Sequence, residues 1–364
     1  NHLFTQISAG LKHSLGLKAE GTAWAWGYNS AGQCGDGTIT DRSSPVSVVG
    51  NHLFTQISAG LKHSLGLKTD GTAWAWGLNT DGELGDGTVT DRSSPVSVVG
   101  GHNFGALLGG KIHSLGLKAN LTAWAWGYNL EGQCGDGTIT NRSSPVSVVG
   151  GHNFIALTAD ALRSLGLKSD GTAWGWGSNI SGEIGDGTVA ARSSPVSVIG
   201  AHSFIELAGN QYHSLGRKAD GTAWAWGLNS SGELGDGTVL SRSSPVSVIG
   251  NHSFISIKGG LYYSLGLKAD GTAWAWGQNG NGQLGNNSIT NRSSPVSVIG
   301  GHSFIAIAGG AANDVVGDKG NSHGRKANGE VWSWGSNGQG QLGDNSTTDR
   351  SSPVGVSGSV AWTV

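Results

Sequence analysis

The sequence predicts an all-β fold, a seven-bladed β-propeller of four-stranded antiparallel blades, and three observations lead there. The segment Thr22-Ala23-Trp24-Ala25-Trp26-Gly27 recurs, with small edits, seven times, spaced by 50 residues until the last copy slips by eight. Its alternation has period 2, which in an extended strand puts both tryptophans on one face and both alanines on the other. Each copy holds four short strand-like segments and is too small and glycine-rich to bury its own faces, so the copies must stack on one another as one body.

In the first copy, Phe4 to Ser8 reads as a first strand and Ala9-Gly10-Leu11-Lys12 as a loop. His13 to Lys18 reads as a second strand, with Leu15 and Leu17 on one face and Ser14 and Gly16 on the other. Ala19-Glu20-Gly21 is a tight turn in which glycine takes positive φ, as Asp-Gly does in several other copies. Thr22 to Trp26 is the third strand, in which large indoles and small alanines suit sheets packed around a common axis. A long loop from Gly27 to Ser44 carries Asn29, Gly32, Gly35-Asp36-Gly37-Thr38 and Arg42. Pro45 to Val49 is the fourth strand, with its proline at the first residue, where it is tolerated. Four short antiparallel strands in about 50 residues make a propeller blade.

The copies span 1–50, 51–100, 101–150, 151–200, 201–250, 251–300 and 301–358, within one domain covering 1–364. The seventh holds eight extra residues, 311–318, before the segment matching the second strand. Residues 359–364 restart the pattern as an extra C-terminal strand, with Trp362 where Phe4 and Phe304 stand. Ring closure therefore has two claimants. The N-terminal segment has the complete pattern and the short connection, so it takes the slot. It completes blade one if blade and repeat coincide, or closes blade seven if the blade boundary falls inside the repeat. The tail is expected to pair outside it or lie over the propeller face, with Trp362 covering apolar surface.

The 65 glycines sit at fixed places in the period, which speaks for turns rather than disorder. A net charge of −2 offers no electrostatic footprint for nucleic acid or an anionic membrane. No apolar run approaches the length of a membrane-spanning helix, so no membrane insertion is expected. Cys34 and Cys134 occupy the same position two blades apart, beyond the ~7 Å reach of a disulfide, and are expected free. The chain starts at a repeat boundary without methionine, which suggests a processed or excised fragment, from which any targeting signal would be missing.

The pattern Gly-x-x-His-Ser-Leu-Gly-Leu-Lys, then Asp-Gly-Thr-Ala-Trp-Ala-Trp-Gly-x-Asn-x-x-Gly-x-Leu-Gly-Asp, then Ser-Pro-Val, is fullest over residues 60 to 98. It resembles the regulator of chromosome condensation repeat, and the resemblance covers the whole chain. The resemblance implies a seven-bladed β-propeller. Functions in that family range over guanine-nucleotide exchange on a small GTPase with chromatin binding, plant ultraviolet-B sensing, protein inhibition of β-lactamase, and roles in many bacterial secreted or surface proteins. The last group slightly favours a secreted or cell-surface bacterial protein over a cytoplasmic one.

Repetition itself weighs against most candidate chemistry. His13, His63, His113 and His213 open the second strand in four copies, with Arg163 and Tyr263 at the same place in copies four and six. Ring-equivalent residues diverge from one another, whereas a tetrahedral metal site needs ligands about 2 Å from one ion, so structural hydrogen bonding is expected. A second series, His2, His52, His102, His152, His202, His252 and His302, stands in every copy and is read as serving the blade. Asp36 and Arg42, with their equivalents, are expected to pair in the loops, and Asn286 shows that the pair is dispensable. Gly-Asp-Gly-Thr recurs with too few carboxylates for a calcium cage. No nucleophile elbow, phosphate loop or zinc motif occurs, so the chain reads as no enzyme and is expected to need no metal or cofactor. A plant photoreceptor of the resembling family uses tryptophan, yet here the pairs lie mid-strand in every copy, and core packing is the reading.

Loop positions that differ between copies are freed from the blade's demands, and loops on a rigid scaffold are where binding surfaces arise. The candidate partner-binding residues are Leu11, Lys12, Lys111, Ile112, Leu162, Arg163, Gln211, Tyr212, Leu261, Tyr262, Tyr263, Asn313 and Asp314. Positions 30–31 and 39–41 and their equivalents vary likewise. The leading expectation is a monomeric, non-catalytic scaffold that binds a protein partner on one loop face or at the mouth of the axial channel. The alternatives are a guanine-nucleotide exchange factor, with the insertion as a wedge, and a carbohydrate-binding propeller using Tyr and Asn loops.

Overall fold

The first repeat folds into β1 (Gln6–Ala9), β2 (His13–Leu17), β3 (Ala23–Gly27) and β4 (Arg42–Ser47), hydrogen-bonded in chain order. This is a computed structural model, and it describes residues 3–10, 12–310 and 320–357. Leu11, Asn313, Asp314 and the segment 359–364 lie outside them. The pattern repeats to give seven four-stranded antiparallel sheets, the last built from β25 (Phe304–Gly309), β26 (Asn321–Lys326), β27 (Val331–Gly335) and β28 (Arg350–Gly355). Structural blade and sequence repeat coincide. Residues of the N-terminal segment therefore complete blade one.

Register explains why the second and third strands keep their composition. Gly16 lies opposite Trp24, Ser14 opposite Trp26, and Leu15 opposite Ala25. Each face thus sets a large side chain beside a small one. At Gly16 the ring of Phe4 lies where a Cβ would stand, 2.7 Å from its nearest atoms, so a side chain there would displace the phenylalanine. The fourth strand begins three residues earlier than the sequence suggests, and Pro45 sits inside it rather than at its start. Proline is accommodated because β4 is an edge strand, ordered last in its sheet.

Blades meet face to face. At the seam between blades one and two, Leu15, Leu17, Ala23, Ala25, Cys34 and Val48 receive Phe54, Ile57 and Trp76 from the next blade. The Trp76 indole is buried completely and its Nε1 donates to the Gln33 carbonyl at 3.0 Å. Equivalent clusters join each following pair of blades up to blade seven. Large aromatic burial of this kind is the main stabilising term of such a stack.

The paired tryptophans do not share one environment. In blades two to seven the second of each pair is the seam residue, whereas the first stays half-buried. Trp74 is flanked by the His52 ring, centroids 4.0 Å apart, and by the Lys68 ammonium 4.4 Å from its own centroid. From His52 to His302 the second histidine series therefore serves the blade by stacking on the outer indole. Both cysteines are free and buried.

Candidate functional site

Two loops of every blade collect at one end of the propeller. The loop from β1 to β2 and the long loop from β3 to β4 emerge together, because His13 pairs with Gly27 and Gly27 with Arg42. The long loop is held by its own polar groups. Asn29 Nδ2 donates to the carbonyls of Thr38 and Thr40, while its Oδ1 accepts from the Cys34 N–H at 2.8 Å. Asp36 accepts from the Thr38 N–H and hydroxyl through one oxygen and from Arg42 through the other. The motif that superficially resembles a calcium loop thus spends its carboxylate on protein donors. Arg92, Arg142, Arg192, Arg242 and Arg350 pair in the same way.

The shorter loops surround an axial cavity of about 290 Å³ to which all seven blades contribute, from Ala9 and Gly10 round to Gly309. Glycine lines it for a steric reason. A Cβ on Gly60 would lie 2.1 Å from the His63 ring and 2.6 Å from the Gly110 carbonyl of the next blade. Blades four and five break the pattern with Asp160 and Asn210. Asp160 pairs with Arg163 at 3.0 Å, and its carboxylate crosses over Gly209, where a Cβ would meet it at 2.1 Å. Arg163 in turn donates to the His213 carbonyl at 2.6 Å and the Gln211 carbonyl at 3.3 Å. Burial pushes the Asp160 carboxyl up to about 6, with Arg163 opposing the shift.

At the mouth, the lysines and tyrosines segregate. Lys12, Lys62 and Lys111 come from blades one to three, whereas Gln211, Tyr212 and Tyr262 come from blades five and six. Lys111 Nζ reaches Gln211 Oε1 at 3.5 Å, Gln211 Nε2 donates to the Tyr212 hydroxyl at 2.6 Å, and the Tyr212 and Tyr262 rings stack in parallel at 5.1 Å. Backbone bonds from Leu61 to Lys111 and from Lys111 to Asp160 stitch blades two, three and four at the same level. Around this centre the long loops expose Ile39, Val89, Leu130, Ile139, Ile180, Val189, Val239, Leu240 and Ile289. A polar, partly basic centre with an aromatic pair, rimmed by scattered apolar side chains, is a surface suited to recognition by contact.

Regulator of chromosome condensation (RCC1) repeat models match residues 20–67, 70–107, 220–267, 270–313 and 328–363, more than half of the chain, and a second such model matches 4–33, 54–83, 204–233 and 254–283. The chain belongs to the RCC1 repeat family. Ultraviolet-B receptor UVR8 of Arabidopsis thaliana is 42% identical over 48 residues, 13% of this chain, and the match spans only 11% of the receptor. Human WBSCR16 superposes with a TM-score of 0.73 at 21% identity, covering 85% of each chain. Prp20p of Saccharomyces cerevisiae, described with its binding to Gsp1p and histones, superposes at 0.70 with 20% identity, covering 84% of this chain and 80% of its own. These structural likenesses show the fold.

Within this RCC1-repeat propeller the residues singled out from sequence divide into two groups. Lys12, Lys111, Ile112, Leu162, Gln211, Tyr212 and Tyr262 stand at the mouth, exposed or half-buried. Arg163, Leu261 and Tyr263 are instead buried, and the expectation that they touch a partner directly is corrected. Arg163 and Tyr263 take over the seam role of the histidine found there in other blades. Tyr263 donates its hydroxyl to the Asn321 carbonyl of blade seven at 2.5 Å, and Leu261 lines the cavity. Lys62 and Asp160 belong to the site and were missed. Lys62 repeats Lys12 in a copy identical over its first 18 residues, so variation between copies could not flag it. Asp160 stood in a variable tetrapeptide, and only its contact with Arg163 reveals it.

Proposed function

We propose that this RCC1-repeat propeller acts by binding, and that a protein partner docks on the loop face around the axial mouth. The observation that carries the reading is the polar strip Lys111–Gln211–Tyr212–Tyr262, which spans the mouth from blade three to blade six beside Lys12 and Lys62. Its basic half favours an acidic segment of the partner. Its stacked tyrosines offer broad apolar area with hydroxyl ends, the side-chain type that dominates interface energetics. Family membership supports binding as the mode of action, and the rigid blades hold the strip without need of a partner to order it.

The test is affinity capture from the native source with three baits: the native chain, Lys12→Glu/Lys62→Glu, and Tyr212→Ala/Tyr262→Ala. Lys68→Glu, at the opposite end, is the control. A partner retained by the native and control baits and lost by the other two supports the reading; equal retention by all four refutes it. Accelerated GDP release from a small GTPase would assign exchange activity instead, and selective retention on a glycan array would assign carbohydrate binding.

A further inference from the structure

The innermost strands of blades one, two and three are tied to one another by glutamine side chains. Gln6 Nε2 donates to the Ile57 carbonyl at 2.8 Å, and its Oε1 accepts from the Ile57 N–H at 3.1 Å. Gln56 grips Leu107 in the same way, at 3.0 Å for both bonds. A serine two residues on completes the tie, for Ser8 Oγ accepts from the Ala59 N–H and Ser58 Oγ from the Gly109 N–H, each at 2.9 Å. The backbone groups are free to take these bonds because each first strand is the inner edge of its sheet, where every second residue turns its N–H and carbonyl away from the strand it pairs with.

Blades four and five lack the tie. β13 (Ala156–Ala159) carries Ala156 and Thr158 where blades one and two carry glutamine and serine. In β17 (Glu206–Gly209), Leu207 stands opposite Gly216 as Ile57 stands opposite Gly66, and the Asn210 N–H bonds the His213 carbonyl as that of Gly60 bonds His63. The Leu207 N–H and carbonyl therefore turn outward as those of Ile57 do, but no side chain among the described residues bonds them. The buried Thr158 hydroxyl also lacks a partner among the described residues. Where the glutamine amide would lie there is a cavity of about 160 Å³, whose walls include Ala156, Leu157, Thr158, Leu167, Ile205 and Leu207. Blade three has alanine at the same position, Ala106, but there Leu108 stands in the place of the serine and packs against the seam.

We infer that this cavity is a binding site for a small neutral molecule that carries a primary carboxamide on an apolar body. The carboxamide oxygen accepts from the Leu207 N–H, and one of its own N–H groups donates to the Leu207 carbonyl. These are the two bonds that Gln6 and Gln56 make from within the chain. The second N–H is left for the Thr158 hydroxyl. A carboxylate could make only the first bond and an ammonium only the others, whereas a primary amide holds acceptor and donors side by side. Charge also favours a neutral ligand, because Glu206, the carboxylate on the wall, is already held by Arg217 at 2.7 Å and Lys258 at 3.2 Å. Leu157, Leu167 and Ile205 supply apolar surface for the body of the ligand, and the volume is close to that of an engineered apolar cavity of about 150 Å³ that admits benzene. Ala156 is exposed, which leaves an entrance from the channel. The site lies on the strand that leads up to Asp160 and does not depend on the partner proposed for the mouth.

The test is titration of the full chain with benzamide, followed through the Leu207 backbone amide in proton–nitrogen correlation spectra. A saturable shift of that resonance is expected. N,N-dimethylbenzamide, which has no N–H to donate, and benzoate should each bind at least tenfold more weakly. Ala156→Gln gives the cavity the chain's own carboxamide, and should abolish the benzamide shift while raising the urea midpoint. Thr158→Val keeps the shape of the wall without the hydroxyl, and should weaken benzamide binding at least threefold. A Leu207 resonance that does not respond, equal binding of the dimethyl amide, or benzamide binding undiminished in Ala156→Gln or in Thr158→Val overturns the inference.

Discussion

The imidazole Nε2 of His113 lies 3.0 Å from the Ser164 hydroxyl of the next blade, and that hydroxyl donates onward to the Gln133 carbonyl at 3.0 Å. A hydroxyl that has given its one proton to a carbonyl must accept from the imidazole, so Nε2 carries the hydrogen and Nδ1 is bare. Buried Nδ1 has no partner among the described residues. A second proton there would place an unpaired charge inside a seam.

Acid should therefore loosen the propeller at its seams. Burial lowers His13 and His113 to about 4 and His63 and His213 to about 3, with His13 and His113 adding to the effect on His63 and Arg163 to that on His213. The unfolded chain protonates these rings near 6.5 and the folded chain resists, so stability is full above 6.5 and falls as pH drops toward 4. At pH 5 the loss is up to about 2 kcal/mol per histidine, at about 1.4 kcal/mol per pH unit. Urea midpoints at pH 7 and pH 5 measure it, and His113→Gln should shrink the difference.

Glu83 should act with the opposite sign. Its Oε2 accepts from the Asp81 N–H at 2.9 Å, the bond Gln33 makes to Ala31 in blade one, but its buried Oε1 has no partner among the described residues. Burial raises the carboxyl to about 7, so the folded state keeps a proton that the unfolded state releases near 4.5. The stability cost grows as pH rises from 4.5 to 7 and is constant above. Glu83→Gln should leave stability nearly unchanged at pH 4 and raise it at pH 8, by up to about 3 kcal/mol. Melting temperatures across that range check it.

The two tryptophans of a pair should differ in weight. Trp126→Ala removes a completely buried indole from a seam and should cost about 3–5 kcal/mol. Trp124, half-buried between His102 and Lys118, should cost roughly half as much. Equal losses in chemical denaturation would show that the outer stack matters as much as the seam.

Thiol chemistry should be silent until the fold opens. Burial pushes the Cys34 thiol up to about 12 and raises Cys134 as well, with Asp36 and Asp136 adding to each. A thiol reagent at pH 8 should find no reactive group in the native protein and two in urea without reductant.

Much of the architecture was legible in sequence because repetition exposes it. Seven copies of one period, with two indoles in each third strand and two small residues beside them in six, required stacked four-stranded blades. The recurrence of His, Asp and Arg in nearly every copy marked them as parts of the blade. The unequal burial of Trp124 and Trp126 was not legible, because both lie on one face by alternation. Only the position of the next blade decides which of them is covered. Arg163 and Tyr263 looked like freed loop residues for a related reason. Each replaces a histidine whose partner lies about 50 residues away, so the bond that fixes its role is absent from its own repeat.

Residues 1–18 and 51–68 mark the boundary between the two kinds of information, for they are identical in sequence. That sequence determined the same two inner strands, the same register and the same phenylalanine over the same glycine in both blades. Local pattern and hydrogen bonding are enough for those features. Yet Ile57 is 1% exposed and Ile7 is 48% exposed. Blade two has blade one's leucines and alanines laid against it and blade one has no such neighbour among the described residues, and burial depends on what is adjacent in space, which only the tertiary structure decided.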